Sequence, residues 1–351
     1  MNKRILVAPL NWGLGHATRC IPIINALIEH KFTPVIASDG MALELLKKEF
    51  PDLEQLELPS YQISYPKNKR TFKLKLLQQS PKLFQTIQAE TKRIDAIVSS
   101  RNIHGIISDN RWGAYSPRVP SVFITHQLRV LSGRTTWLSS KLHEVFIKNF
   151  DECWVPDVEG TPNLSGKLGH KSLKNTVIKY LGPLSRFSKK AAPIKNDLMV
   201  LLSGPEPQRS LLEKILLEEL KQVSGTVLFV KGVVEDKQTV EKKGNWTIYN
   251  FMTSQLLETA LNESGLIISR SGYTTIMDLA RLEKRAFFIP TPGQFEQEYL
   301  AERLSQLGVV PYCQQDEFRL EKLEHKSQFK GLSHFEGAAD YEQLFSLFQT
   351  K

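Results

Sequence analysis

The chain has 351 residues, long for a single core and comfortable for two domains of ordinary size. With 41% hydrophobic and 24% charged residues and no low-complexity tract, its composition is that of a globular protein and excludes a disordered or fibrous chain. The net charge is +9, and the excess sits in residues 1–185, where 25 Lys+Arg stand against 15 Asp+Glu. The first half should therefore face something anionic, such as a membrane surface, an acidic acceptor or a nucleic acid.

The chain opens with Lys3-Arg4 and the apolar run Ile5–Ala8, which Asn11 and Trp12 break too soon for a signal sequence, so the run reads as a first strand. No apolar window approaches the ~20 residues that span a bilayer. Cys20, Cys153 and Cys313 lie far apart in no metal or redox spacing and read as reduced, buried thiols of a cytoplasmic protein. Short β-branched runs alternate with helical patterns throughout, the signature of α/β units with parallel sheets. The strands expected in the first half are 4–8, 33–37, 105–108, 122–125, 153–155 and 177–181. In the second half they are 198–202, 227–230, 247–249, 266–269, 287–290 and 309–312. Two sets of six point to two doubly wound domains, 1–185 and 186–335, joined where Gly, Pro and Lys collect around 182–193. Leu344-Phe345-Leu347-Phe348 reads as a closing helix within 336–351.

Between the second and third expected strands, residues 61–77 mix Lys67, Lys69, Arg70, Lys73 and Lys75 with Tyr61, Tyr65, Phe72 and leucines, and no acid occurs between Glu57 and Glu90. That mixture suits an anionic lipid surface, charges to head groups and apolar groups to the interface. A solvated loop and helix face is the competing reading. No nucleic-acid module is recognisable, so no nucleic-acid partner is expected.

Four strand-end segments carry chemistry. After the first strand comes Gly13-Leu14-Gly15-His16-Ala17-Thr18-Arg19, a Gly-x-Gly turn into a helix. It invites a dinucleotide reading with Asp39 on a ribose, but Thr18 replaces the third small residue. The alternative is a tight turn that points His16 into a cleft. Ile107-Ser108-Asp109 ends a buried strand, where Asp109 could orient His16 as a general base or cap the next helix. His126, in Thr125-His126-Gln127, is at another strand edge and could touch an acceptor or the backbone. In the second half, Ser203-Gly204 with Arg209, and Ser269-Arg270-Ser271-Gly272 with Thr275 and Asp278, are strand–turn–helix units suited to a phosphate, with Glu296 and Gln297 following the next strand.

Taken together, these residues resemble the GT-B glycosyltransferases of the family 28 type, which include the lipid II-forming N-acetylglucosaminyltransferase and the galactolipid synthases. Arg270-Ser271-Gly272, Thr275, Asp278, Pro290 and Glu296-Gln297 are similar to their nucleotide-sugar signature, and Gly13-x-Gly15-His16 to their N-terminal loop. The resemblance implies two Rossmann-like domains facing across a cleft, with a UDP-sugar donor bound chiefly by the C-terminal one and the acceptor by the N-terminal one through Gly13, Gly15 and His126. It implies that Asp278 takes the ribose diol, Ser203 and Ser271-Gly272 the diphosphate, and Glu296 and Gln297 the sugar hydroxyls. It further implies inversion without a bound metal or other cofactor, with His16 and Asp109 as the catalytic pair, and a place at the inner face of the cytoplasmic membrane, where a lipid-linked or cell-envelope saccharide is the acceptor. Two residues depart from the pattern. Thr125-His126-Gln127-Leu128 lacks the Glu of the lipid II-forming enzymes, and Asp278 is a methylene shorter than the Glu usual there.

A nucleotide-sugar epimerase on the same fold, a non-catalytic sugar-nucleotide-binding subunit and an NAD-dependent oxidoreductase are the other classes to weigh. The basic aromatic segment counts against the epimerase, and the second-half signature does not serve an NAD enzyme.

Overall fold

A computed structural model describes residues 2–61, 72–233, 235–333 and 339–349, without the side chains of 72–81, 134 and 325–327. The chain divides into two compact units, one made of residues 1–184 with 336–351, the other of residues 185–335.

The first unit is built on a seven-stranded sheet in the order β3-β2-β1-β4-β5-β6-β7. Its strands are β1 (Arg4–Pro9), β2 (Thr33–Ser38), β3 (Glu54–Glu57), β4 (Ile103–Asp109), β5 (Ser121–Ile124), β6 (Glu152–Val155) and β7 (Val177–Tyr180), and all neighbours run parallel. Ile5 to Ala8 are fully buried because a parallel sheet is covered on both faces, so its central strands read as continuous apolar runs. Helices α1 (Leu14–Glu29), α2 (Gly40–Glu49), α3 (Phe72–Arg101) and α4 (Thr136–Ile147) make the crossovers. The second unit has six strands in the order β10-β11-β9-β8-β12-β13. These are β8 (Asn196–Leu201), β9 (Val227–Val230), β10 (Val240–Lys243), β11 (Trp246–Tyr249), β12 (Ser264–Ser269) and β13 (Arg285–Phe288), with α5 (Gln208–Glu219), α6 (Ser254–Asn262), α7 (Tyr273–Arg281) and α8 (Phe295–Gln306). Only the β10–β11 hairpin is antiparallel.

Three expectations change. Edge strand β3, with the polar sequence Glu-Gln-Leu-Glu, was not expected, nor was β10, all four of whose residues are exposed. Conversely, 309–312 is no strand. It makes a single bridge from Tyr312 to Phe288, because Pro311 has no N–H to continue a ladder and only its carbonyl accepts, from Phe288 N.

The C-terminal residues close the first unit. Asp340 caps α9 (Tyr341–Phe345) by accepting from Gln343 N at 2.9 Å, and a 3-10 turn, Ser346–Phe348, follows. Phe345 and Phe348 are buried against Phe32 and Trp154, and a β-carbon at Gly105 would run into the Phe348 ring. Each buried ring contributes about 1.5–3 kcal/mol.

A buried ionic cluster braces the same unit. Arg111, fully buried, pairs with Glu90 of α3 and with Asp39 at 2.6 Å, and donates to Pro59 O at 2.6 Å. Tyr61 donates its hydroxyl to Glu90 and lies under the Arg111 guanidinium. Two expectations are corrected here. Asp39 is consumed by Arg111 and Asn11 and is not held out for a ribose. Tyr61 belongs to the core and not to a membrane-facing surface. Of the rest of 61–77, residues 62–71 and the side chains of 72–77 lie outside the described residues. Cys20, Cys153 and Cys313 are buried and unpaired, and burial pushes the Cys313 thiol up to about 12.

Candidate functional site

Strand addition passes to the other side of the first strand between β1 and β4 in the first unit and between β8 and β12 in the second. Loops leaving the carboxyl ends of such strands diverge to opposite faces and leave a crevice where ligands bind. The sequence-predicted residues cluster at these two places.

In the first unit, Gly13 sits at φ 79°, a left-handed conformation that favours glycine, and starts α1 directly after β1. That turn sets His16 in the first turn of α1. Across the switch point β4 is in register with β1, Pro9 opposite Asp109, so the Asp109 side chain emerges beside α1. His16 Nδ1 lies 2.8 Å from Asp109 Oδ1, and the His side chain is 15% exposed where that of Asp109 is fully buried. Asp109 can therefore act on a ligand only through its neighbours. One of these neighbours was not expected. Arg19, one turn beyond His16 on the same face of α1, grips both oxygens of Asp109 through Nε and Nη2, comes within 2.9 Å of His16 Nδ1 through Nη2, and reaches His126 Nδ1 at 3.1 Å through Nη1. Its signal in the sequence was the i, i+3 spacing from His16.

These contacts set the charges. Burial opposes ionisation of Asp109, but the Arg19 charge and hydrogen bonds, with His16, outweigh it and hold the carboxyl at about 2. Burial lowers the His16 pKa, the Arg19 charge lowers it further, and Asp109 only partly restores it, so the imidazole is neutral at physiological pH. A neutral imidazole with Nδ1–H on a carboxylate has a lone pair at Nε2 and can take a proton. His126 is buried beside Arg19. Gly13 and Gly15 shape the turn; Gly13 is exposed and Gly15 O accepts from Thr18 Oγ1.

In the second unit, Ser203 and Gly204 form an exposed turn after β8, with Gly204 at φ 109°. After β12, Gly272 opens α7 with no side-chain cap, and Thr275 is partly buried in the first turn. Ser271 is buried and donates its hydroxyl to Gln297 O at 2.8 Å, tying the α7 turn to α8. Asp278 accepts from Ser185 Oγ at 2.6 Å; burial raises its pKa to about 6 against the opposing pull of Arg186 and the Ser185 bond. Ser185 was not singled out in the sequence because it lay in the expected linker. Gln297 turns its amide toward its own loop, Oε1 accepting from Thr291 N at 2.9 Å and Nε2 donating to Gln294 Oε1 at 2.5 Å. Glu296 is partly buried in the first turn of α8, where a carboxylate suits the helix dipole.

Both arginines expected at the phosphate are engaged elsewhere. Arg209 is held by Glu206 and Glu213, three residues before and four after it, and by Lys231 O and Ser210 Oγ. Arg270 is buried and donates to the carbonyls of Ile289, Pro290 and Gln208 and to Gln315 Oε1. Burial lowers its pKa to about 10, which leaves it charged. It is a clip that fixes the loops around the turn through its two terminal nitrogens, while its buried Nε makes no hydrogen bond.

Residues 206–332 match the model of the glycosyltransferase family 28 C-terminal domain. Over 215 residues the chain is 26% identical to the UDP-N-acetylglucosamine–N-acetylmuramyl-(pentapeptide) pyrophosphoryl-undecaprenol N-acetylglucosamine transferase of Buchnera aphidicola, a match covering 59% of this chain and 56% of that relative, little more than half its length. The enzyme of the same name from Glaesserella parasuis is 24% identical over 339 residues, 92% of this chain and 88% of the relative. Among solved structures, MurG of Acinetobacter baumannii superposes with a TM-score of 0.61 at 14% identity, covering 99% of this chain and 100% of that one. LpCGTa in complex with UDP gives 0.64 at 13% identity, covering 100% of both chains. The second unit carries a glycosyltransferase family 28 C-terminal domain over residues 206–332, and the chain has the GT-B fold of these solved glycosyltransferases.

Proposed function

We propose that this enzyme transfers a sugar from a UDP-sugar to a hydroxyl of a lipid-linked or cell-envelope saccharide, with inversion at the anomeric carbon. The observation that carries the proposal is the neutral His16 with its Nδ1 on the buried, ionised Asp109 at the switch point of the first unit. In the proposed step, His16 Nε2 removes the acceptor O–H proton as that oxygen bonds to the anomeric carbon. The bond from that carbon to the diphosphate oxygen breaks on the opposite side, and UDP leaves. A single displacement of this kind inverts the centre.

Donor binding falls to the second unit, with Asp278 accepting from the ribose diol and Glu296 and Gln297 meeting the sugar hydroxyls. Backbone donors of Ser203-Gly204 and Ser271-Gly272, at the start of α7, meet the developing diphosphate charge in place of a metal or a free arginine. The names of the Buchnera and Glaesserella relatives, both UDP-sugar transferases acting on an undecaprenol-linked acceptor, support the donor and acceptor classes.

A described surface supports a membrane-held acceptor at the cytoplasmic face. Helix α4 buries Ser140, His143, Phe146 and Ile147, yet its opposite face is also apolar, with Trp137 72%, Leu138 59%, Leu142 41% and Val145 59% exposed. Exposed Lys141 and Lys148 share that face. Apolar side chains among lysines suit an anionic bilayer, as does the positive balance of residues 1–185.

Thermal-shift titration with UDP, GDP, TDP and NAD tests the donor class. A ligand at a hundred times its Kd adds about 2.7 kcal/mol, and stabilisation by NAD alone would reject the transferase reading. His16→Ala at saturating donor should lower turnover by about 10²–10⁴-fold; unchanged turnover would remove the base assignment.

A further inference from the structure

Arg19 joins three groups from three elements. On α1 its Nη2 lies 2.9 Å from His16 Nδ1; at the end of β4 its Nε and Nη2 hold the two oxygens of Asp109; past the end of β5 its Nη1 lies 3.1 Å from His126 Nδ1. Cys20, the next residue on α1, adds a weak contact to Asp109 Oδ2 at 3.7 Å. All of these except His16 are buried. We propose that Arg19 is a positioning residue of the His16–Asp109 pair, whose guanidinium cancels the carboxylate charge and fixes the imidazole so that His16 rests as an uncharged base. This deepens, and rests on, the reading of His16 as the base.

The argument is electrostatic and geometric. A buried carboxylate alone beside an imidazole favours the imidazolium, and a base that already carries its proton cannot accept one. The Arg19 fork occupies the same carboxylate in the bidentate geometry that guanidinium and carboxylate prefer, so the pair is nearly neutral before His16 is counted. A proton added to His16 then meets a cation within hydrogen-bonding distance of Nδ1. The hydrogens are constrained too. Arg19 Nη2 cannot donate to an Nδ1 that carries hydrogen, so in the base-competent tautomer Nδ1–H points to Asp109 Oδ1, Nη2 donates to the same oxygen, and Nε2 keeps its lone pair. Through Nη1 the same guanidinium donates to His126 Nδ1. His126 thereby enters the site as a brace on the arginine.

The test follows the His16 imidazole by NMR in the full-length, histidine-labelled protein from about pH 5 to about pH 9, alongside kcat/KM profiles. In the wild type His16 should titrate below its ordinary 6.5. In Arg19→Gln its pKa should rise by about 1–3 units, and the acid limb of kcat/KM should move with it. Arg19→Lys, which keeps the charge without the fork, should return both toward the wild-type position. Uniform loss of activity in Arg19→Gln with the His16 titration unmoved would make Arg19 a structural clip and overturn the proposal. Should Arg19→Gln not fold, Arg19→Met, which keeps much of the side-chain length without its charge, takes its place under the same two outcomes. Full turnover in His16→Ala would reject the base reading but leave the titration result standing, so the two ideas fail separately.

Discussion

If Asp278 holds the donor as proposed, it should make donor affinity depend on pH. Its carboxyl is lifted to about 6 by burial, with Arg186 and Ser185 pulling the other way. If only the ionised carboxylate accepts the ribose diol, the apparent Kd for a UDP-sugar is multiplied by one plus the ratio of protonated to ionised Asp278. That factor is about 1.1 at pH 7 and about 11 at pH 5, a loss of roughly 1.4 kcal/mol. Calorimetric titration should use a UDP-sugar, because the terminal phosphate of UDP itself titrates near pH 6. Asp278→Asn should weaken binding at pH 7 and abolish the pH dependence. It should also raise the melting temperature of the unliganded protein at neutral pH. The sign follows from the raised pKa: the folded state binds the proton more tightly than the unfolded chain, so ionisation subtracts stability as pH rises from about 4 through about 6, and Asn removes that loss. A wild-type affinity that is flat between pH 5 and pH 8 would refute the assignment of Asp278 to the ribose.

Other expectations concern the fold and its surfaces. Asp109→Asn leaves Arg19 buried without its counter-charge and should cost about 3–5 kcal/mol in urea unfolding at pH 7. Because the Asp109 pKa is depressed to about 2, the wild type keeps this advantage above about pH 4 and loses it as pH falls through 2, so the gap between the two proteins should narrow in acid. Trp137→Gln with Leu142→Gln should release the protein from anionic vesicles in flotation while changing stability by less than about 1 kcal/mol, both side chains being exposed; undiminished flotation would dispose of α4 as the lipid-facing surface. Arg270→Lys keeps the charge but cannot reach four acceptors, and should weaken UDP-sugar binding by loosening the turn, with the defect seen in Kd before kcat.

The sheets were legible where strands are buried on both faces, because burial demands continuous apolar runs such as Ile5–Ala8 and Leu266–Ile268. Edge strands escape that demand. Glu54–Glu57 and Val240–Lys243 pair on one side only and need no apolar pattern, while Val309–Tyr312 has the pattern but is interrupted by Pro311. At the candidate site, the Gly-rich turn and the strand-end acid could be read because each is marked by its place beside a strand. Partnership was harder to read. Arg209 and Arg270 announce positive charge, but nothing local says that a buried guanidinium will be spent on carbonyls from distant loops. For Arg209 the signal existed, since Glu206 and Glu213 stand at helical spacing on either side. For Arg19 the spacing to His16 was visible, but its grip on Asp109, ninety residues away, depends on the register of β1 against β4.

Asp109 and Asp278 have had their pKa values pushed in opposite directions, and on the proposed roles this should separate the steps of the reaction by pH. Asp109, with its carboxyl held at about 2 chiefly by Arg19, stays ionised near neutrality and contributes no limb to a rate profile there. Asp278 does titrate there, and on the proposed donor role it should do so only while the donor is absent, because a bound ribose diol would stabilise the carboxylate. The profile of kcat/KM for the donor should therefore carry, beside the limb that His16 contributes, an acid limb near pH 6 from Asp278 in the free enzyme. The profile of kcat at saturating donor should lose that limb and fall only where His16 protonates, below 6.5. Asp278→Asn separates the two, since it should remove the Asp278 limb from kcat/KM and leave the His16 limb in place in both profiles. If the substitution moves both limbs together, the same group governs binding and chemistry, and the division of labour between the acids of the two units is wrong.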